Sequence, residues 1–283
     1  HTRLARTCPL GAMLHYVHTR QAAGKGPSTQ VSVAYGALLA AAFLVYHFVA
    51  NGEFSAILTM AVMAQCLAVA LLCLQILSSG TAAGVSARAL ALEALSFSCR
   101  LSSTTWLNGY LPVDASGDFV YQLVDVLSLL MVLGLLYHVL VTYRRTYQED
   151  MDSLPVLPVV LGSFVLAAIF HADMNSRPFF DTLWMAGLFV GVFSVLPQLT
   201  MVARTGGVVD ALTSHYIAVM AVSRVLSGIF MWHARFDITC APWIEGVNHA
   251  IWAVLVAHAV HLLLLGEFAF YYVRAICAQG LAC

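Results

Sequence analysis

The chain has 283 residues, of which 61% are hydrophobic and only 10% are charged. This composition, with a mean hydropathy of +0.85, excludes an ordinary soluble domain and predicts an all-α polytopic membrane protein. The formal net charge of −1 provides no basic surface, so no nucleic-acid partner is expected.

The N-terminal segment, residues 1–30, is the most polar part of the chain. It contains Arg3, Arg6, Arg20 and Lys25, and the first carboxylate of the chain is Glu53. An arginine-bearing segment without acids is typical of a transit peptide, and also of a cytoplasmic tail before a first membrane helix. Both interpretations stay open, so an organellar inner membrane is an alternative location.

Eight apolar runs follow, and all but the fifth have about 20 residues or more, enough to cross a bilayer. With eight spans, nine basic residues fall on the side of the two termini, against Arg177 and Arg235 on the other side. This bias predicts that both termini are cytoplasmic, or lie in the matrix or stroma of an organelle. The predicted spans are residues 31–50, 54–78, 86–107, 118–142, 155–171, 179–203, 213–233 and 244–273.

The sixth run contains the pair Pro197-Gln198. Proline inside a helix frees a backbone carbonyl, and an amide side chain at membrane depth needs hydrogen-bond partners. Such a pair is typical of a helix–helix seam or a cavity. Glycine-bearing loops precede both spans that carry an arginine, Arg100 and Arg224, which indicates either a repeated three-helix unit or chance spacing.

Three blocks of sequence carry a family resemblance. They are Leu196-Pro197-Gln198-Leu199 continuing through Thr213-Ser214-His215-Tyr216 to Arg224, Gly84-Val85-Ser86 with Arg100, and Arg145-Thr146-Tyr147 through Asp152. In these blocks the chain resembles the KDEL receptor family, seven-helix retention receptors related to the PQ-loop and sugar-transporter folds.

The resemblance implies a seven-helix core over residues 54–275, built as two three-helix bundles plus a linker helix. Residues 1–53 would then hold a tail and one extra N-terminal transmembrane helix, and residues 276–283 a C-terminal tail.

The family binds the C-terminal Lys/His-Asp-Glu-Leu tail of escaped luminal proteins in the Golgi and releases them in the endoplasmic reticulum. By resemblance, Arg100 and Arg224 match cavity arginines, whose forked donors suit carboxylates. Asp181 and Trp184 match the residues that hold the basic end of the ligand, where a tryptophan face can attract a cation. The implied partners are a C-terminal peptide and membrane lipids.

The chain also departs from the family pattern. Leu58 replaces a ligand-binding arginine, Gln65 replaces the pH-sensing histidine, and the C-terminal tail lacks lysine. An alternative is therefore a structural subunit of a larger membrane complex that keeps the fold without retrieval activity. Small-solute transport is a weaker third possibility.

The remaining polar residues have two interpretations each. Arg100 and Arg224 could instead be structural partners of Asp125 or Glu267. His258 and His261 lie on one face of the last span, where a metal or haem site is conceivable but packing is favoured. We predict no metal and no cofactor. Because the nucleophile, zinc-protease and nucleotide motifs are missing from the sequence, no enzymatic activity is expected.

Overall fold

The computed structural model describes residues 29–49, 53–104, 118–173, 177–204, 211–240, 243 and 245–280. Within these ranges the chain forms nine α-helices and no β-strand. The predicted tail before residue 29, and the loop at residues 205–210, lie outside the described residues. The helices are α1 (Thr29–Leu44), α2 (Ala56–Ser79), α3 (Ala87–Thr104), α4 (Asp118–Tyr137), α5 (Val156–Phe170), α6 (Pro178–Phe193), α7 (Val195–Arg204), α8 (Ala211–His233) and α9 (His249–Gly280).

Each of the eight predicted spans corresponds to one helical unit, with α6 and α7 sharing the sixth. Six units are long and apolar enough to cross a membrane, and α5 is a shorter apolar helix. The remaining unit, α3, has 18 residues, or about 27 Å at roughly 1.5 Å per residue, but carries Arg88, Glu93 and Arg100. The prediction of an all-α polytopic membrane protein is confirmed.

The helices pack as two equivalent sets of three, joined by α5. The first set is α2, α3 and α4, and the second is α6 with its continuation α7, α8 and α9. In the first set α4 packs against both α2 and α3, and in the second set α9 packs against both α6 and α8. Between the sets, α2 packs against α8 and α3 packs against α6, so the first helix of each set contacts the second helix of the other. Arg100 and Arg224 each lie thirteen residues beyond the first residue of their helix. This symmetry favours the repeat interpretation over chance spacing.

Outside the two sets, α1 and α5 present mainly apolar side chains to the surroundings. α1 packs against α2, and the Tyr35 hydroxyl lies 3.2 Å from Nδ1 of His215 on α8. Leu39 and Phe43 on α1, and Leu157 and Leu161 on α5, are more than half exposed. In a helix bundle of this composition such faces contact lipid.

Pro197 explains why the sixth span is broken into α6 and α7. Proline has no N–H to donate to the carbonyl of the residue four positions earlier, and the break falls at Ser194, directly after that residue. The side chain of the next residue, Gln198, then bridges to the loop before α3. Its Nε2 donates to the carbonyl of Gly84 at 2.7 Å, and its Oε1 accepts from the N–H of Ser86 at 2.9 Å.

Asp152 completes the same junction from the loop before α5. Its carboxylate accepts from the Ser86 hydroxyl at 2.8 Å, from the Arg88 N–H at 3.1 Å and from the Tyr147 hydroxyl at 2.7 Å. Burial, and then the bond to Asp152, raise the pKa of Tyr147 above its ordinary value. Ser86 also caps α3, because its Oγ accepts from the N–H of Ala89 at 3.0 Å. We call Gly84, Ser86, Asp152 and Gln198 the Gln198 junction.

Two glycines let α6 approach α3 closely. The hydroxyl of Ser96 donates to the carbonyl of Gly187 at 2.6 Å. A Cβ at Gly187 would lie 3.0 Å from the carbonyl oxygen of Ser96, and one at Gly191 would lie 2.8 Å from the Ser96 hydroxyl. The spacing Gly187–Gly191 is the small-residue pattern that brings membrane helices into backbone contact. It sets α3, with Arg100, directly against α6.

We expect Gly187→Ala to destabilise the protein, because the added methyl group must push the α3 backbone away. The matched control is Gly134→Ala, since a Cβ at Gly134 on α4 would meet no atom within 4 Å. The control should be neutral or stabilising, because alanine is the better helix former by roughly 1 kcal/mol. Thermal melting of the purified variants in detergent measures both. Equal melting temperatures for the two variants would contradict the close contact.

Candidate ligand-binding site

Arg100 is held by a carboxylate inside the bundle. Its Nε donates to Oδ2 of Asp125 at 2.5 Å, and a terminal nitrogen donates to the other carboxylate oxygen, so the pair is bidentate. Asp125 on α4 is fully buried, while the side chain of Arg100 is 16% exposed. The guanidinium carbon also lies 5.1 Å from the ring centroid of Phe97 and 5.7 Å from that of Tyr121. The contacts of Arg100 therefore match the alternative interpretation of the sequence, in which Arg100 is a structural partner of Asp125.

Gln65 connects this pair to a second buried carboxylate, Glu93 on α3. The Nε2 of Gln65 donates to Oε1 of Glu93 at 2.9 Å, and the Oε1 of Gln65 lies 3.4 Å from a terminal nitrogen of Arg100. The hydroxyl of Ser194, at the break between α6 and α7, donates to Oε2 of Glu93 at 2.7 Å. Both oxygens of Glu93 thus have a neutral donor, which stabilises a carboxylate at membrane depth.

Arg224 on α8 is also buried, but it is paired less completely. A terminal nitrogen lies 3.9 Å from Oε1 of Glu93 and 3.4 Å from the sulfur of Met220. In the described part of the chain, its Nε has no hydrogen-bond partner. Glu267, the other predicted partner, is exposed on α9. Arg224 therefore keeps the capacity to bind an additional anion.

Both arginines line one cavity of about 40 Å³, in the half of the bundle away from the Gln198 junction. Trp184 on α6 forms part of its wall, and Leu58 makes the wall contributed by α2 apolar. One buried water needs roughly 10–15 Å³, so the cavity has space for a few waters or one small polar group. The complete lining is Leu58, Ser96, Arg100, Tyr121, Trp184, Gly187, Leu188, Gly191, Arg224, Ser227, Met231, His258 and His261.

The predicted site residues are thus divided between three places. Arg100, Arg224 and Trp184 meet at the cavity, whereas Asp181 is buried in the first turn of α6 and lies outside the cavity wall. Pro197 and Gln198 lie at the opposite end of the bundle. A second cavity of about 30 Å³ lies between Gln198 and Glu93.

Some features of the site do not follow from the sequence prediction, although it names Asp125 as a possible partner of Arg100. Glu93 is a carboxylate within an apolar span, and an in-span charge is by itself a signal of a functional or paired site. The spacing of Gly187 and Gly191 is a second signal that could have predicted the contact of α3 with α6. His258 lines the cavity although its sequence context favoured packing. The described ranges contain no group of three His, Cys, Asp or Glu side chains that could hold a metal ion.

Comparison with known proteins agrees with this architecture. The family model described as ER lumen protein retaining receptor matches residues 81–235, more than half of the chain. The chain belongs to this family of ER lumen protein-retaining receptors. The matched range includes the Gln198 junction, Arg100 and Arg224.

Individual family members match over most of their length. The ER lumen protein-retaining receptor of Caenorhabditis briggsae is 27% identical over 215 residues, which are 76% of this chain and 91% of the relative. Receptor A of Arabidopsis thaliana is 27% identical over 211 residues, 74% of this chain and 89% of the relative. Receptor 2 of Danio rerio is 27% identical over 210 residues, again 74% and 89%.

The low identity agrees with the predicted divergence from the family pattern. The ER lumen protein-retaining receptors are a family of receptors and not of enzymes. Family membership and the apolar helices together identify an integral membrane protein of the endoplasmic reticulum and Golgi system.

The two arginines give a stability prediction. Arg100→Met should lower the free energy of unfolding by about 3–5 kcal/mol, because it leaves Asp125 buried without its counter-charge. Arg224→Met should lower it by less than Arg100→Met does, because Glu93 lies 3.9 Å from Arg224 and keeps its bonds to Gln65 and Ser194. Thermal melting in detergent compares the two variants.

A double variant serves as the control for this comparison. Arg100→Met combined with Asp125→Leu should recover most of the lost stability, since an apolar pair replaces a buried ion pair at little cost. If Arg224→Met melts at the same temperature as Arg100→Met, the two arginines do not differ in the way described.

Proposed function

We propose that this protein is a retention receptor that binds the C-terminal peptides of luminal proteins at the cavity between α3, α6, α8 and α9. One observation carries the proposal within this family: Arg224 is a buried guanidinium, 3.9 Å from its nearest carboxylate, with an Nε that lacks an acceptor in the described residues. A peptide carboxylate supplies the acceptor that this group lacks.

The two arginines have different parts in this proposal. Asp125 binds Arg100 through both carboxylate oxygens, so a ligand could use Arg100 only by displacing Asp125. Arg224 can bind a ligand without displacing a protein carboxylate, and it is therefore the residue that contacts the ligand's carboxylate. Arg100 contributes positive potential to the cavity and fixes α3 against α4.

The basic end of the ligand belongs at the start of α6. Trp184 lies in the cavity wall, and Asp181 is one turn closer to the first residue of the helix. A tryptophan face and a carboxylate at this spacing suit an ammonium or imidazolium group. Since α6 begins on the side opposite the predicted cytoplasmic face, the basic end would point towards the lumen.

A four-residue peptide requires more room than the cavity has. Pockets for small ligands usually have a volume of about 300 Å³ or more, against about 40 Å³ here. Binding therefore requires the luminal ends of the helices to separate. The Gln198 junction joins the helix ends on the other side, so this separation need not open the cytoplasmic face.

Of the three candidate functions, we propose only the receptor function. A binding site of this chemistry needs no catalysed reaction, so we propose none. Nothing in the described residues favours a structural subunit or a solute transporter over a receptor.

Direct binding of a fluorescent peptide ending in Lys-Asp-Glu-Leu tests the proposal. The purified protein should bind it at some pH between ~5 and ~7.5, the range in which a histidine-dependent receptor would operate. Arg224→Met should weaken binding about 10- to 100-fold, because a hydrogen-bonded charge contact is lost. The variant should remain folded, as argued above.

The same peptide with a C-terminal amide is the matched ligand control, because it lacks the terminal carboxylate. It should bind more weakly than the acid. Absence of binding to the unmodified protein at every pH in this range would contradict the receptor function.

A further inference from the structure

The cavity has a polar wall on α9 that neither arginine explains. His258 lines the cavity and is only 5% exposed. Within the described residues, neither of its ring nitrogens has a hydrogen-bond partner. Buried polar side chains are nearly always hydrogen-bonded, so an imidazole in this position indicates a contact that the protein alone does not supply.

The helix packing places the start of the His258 side chain against α8. A Cβ at Gly228 on α8 would lie 3.8 Å from the Cβ of His258, so α8 and α9 are in close contact at this level. Gly228 is one turn beyond Arg224 on the same helix. His258 therefore remains beside the cavity and beside Arg224.

The charges around His258 determine which ligand it can take. The cavity presents Arg224 from α8, Arg100 from α3, Tyr121 from α4 and His261 from α9 itself. The carboxylates of Glu93, Asp125 and Asp181 do not line it. Two guanidinium groups repel a metal cation, and they attract an anion. A carboxylate is the ligand class that accepts from both a guanidinium and an imidazole N–H.

We propose that His258 is a ligand-binding residue, which donates a hydrogen bond to the same ligand carboxylate that Arg224 binds. The inference rests on the proposed receptor function and deepens it. It gives the site a contact from α9, so the ligand's carboxylate lies between α8 and α9 and away from the Arg100–Asp125 pair.

Binding of four peptides to the protein and its variants tests this contact. The first peptide ends in Lys-Asp-Glu-Leu with a free carboxylate. Each of the other three lacks one carboxylate, through a C-terminal amide, through Asn in place of Asp, or through Gln in place of Glu. His258→Leu should weaken binding of the first peptide about ten-fold, the usual effect of losing a hydrogen bond to a charged group.

Combining His258→Leu with each of the three peptide changes identifies the carboxylate that His258 contacts. For the one peptide that already lacks this carboxylate, His258→Leu should cause almost no further loss, whereas the other two should again lose about ten-fold. His258→Gln keeps an N–H donor and should bind the first peptide within about three-fold of the unmodified protein.

The matched control is His215→Leu, because His215 contacts Tyr35 and does not line the cavity. It should bind all four peptides like the unmodified protein. Thermal melting of the three variants checks that they are folded. If His258→Leu does not fold, His258→Met, which also lacks an N–H donor, tests the contact in its place.

The outcomes separate the two proposals. If the unmodified protein binds the first peptide and His258→Leu binds it equally well, the role of His258 is wrong and the receptor function stands. If the loss is the same for all four peptides, His258 acts through packing, and the carboxylate contact is wrong. If the unmodified protein binds no peptide, the receptor function fails and the inference fails with it.

Discussion

The structure depends on how the charges inside the bundle are balanced. Asp125 neutralises Arg100 through both of its oxygens, and Gln65 links this pair to Glu93. The interaction fixes α3 against α4 and against α2, and so sets the position of the whole first three-helix set. It also leaves Arg224 facing a carboxylate that already has two neutral donors. A single buried ion pair thereby separates an arginine with a bidentate partner from one that is incompletely paired within the described residues, the arginine that we propose for ligand binding.

The blocks that carry the family resemblance supply residues to two places in the bundle. One is the Gln198 junction, and the other is the cavity that Arg100 and Arg224 line. Gln198, Ser86 and Asp152 come from the three blocks that carry the resemblance, and hydrogen bonds join them at one junction. This explains how the chain keeps its family's fold although Leu58 and Gln65 depart from the family pattern. The junction holds the helix ends together, whereas the cavity is the place that we propose for the ligand.

The sequence predicts the helices well and the site only in part. Apolar runs reveal the spans because each must satisfy its own backbone within the membrane, and the two in-span arginines stand out for the same reason. The sequence offers Asp125 as a partner of Arg100 only as one of two alternatives, because the choice depends on how α3 and α4 are rotated against each other. The role of His258 depends in the same way on the close packing of α8 and α9 at Gly228.

An experimental structure of the protein with a bound Lys-Asp-Glu-Leu peptide is the most direct measurement of this division between the arginines. We expect a ligand carboxylate oxygen about 2.8 Å from the guanidinium of Arg224, the usual length of such a bond, with Arg100 still paired to Asp125. A structure in which the ligand's carboxylates are bound by Arg100, with Asp125 displaced and Arg224 uninvolved, would contradict the account.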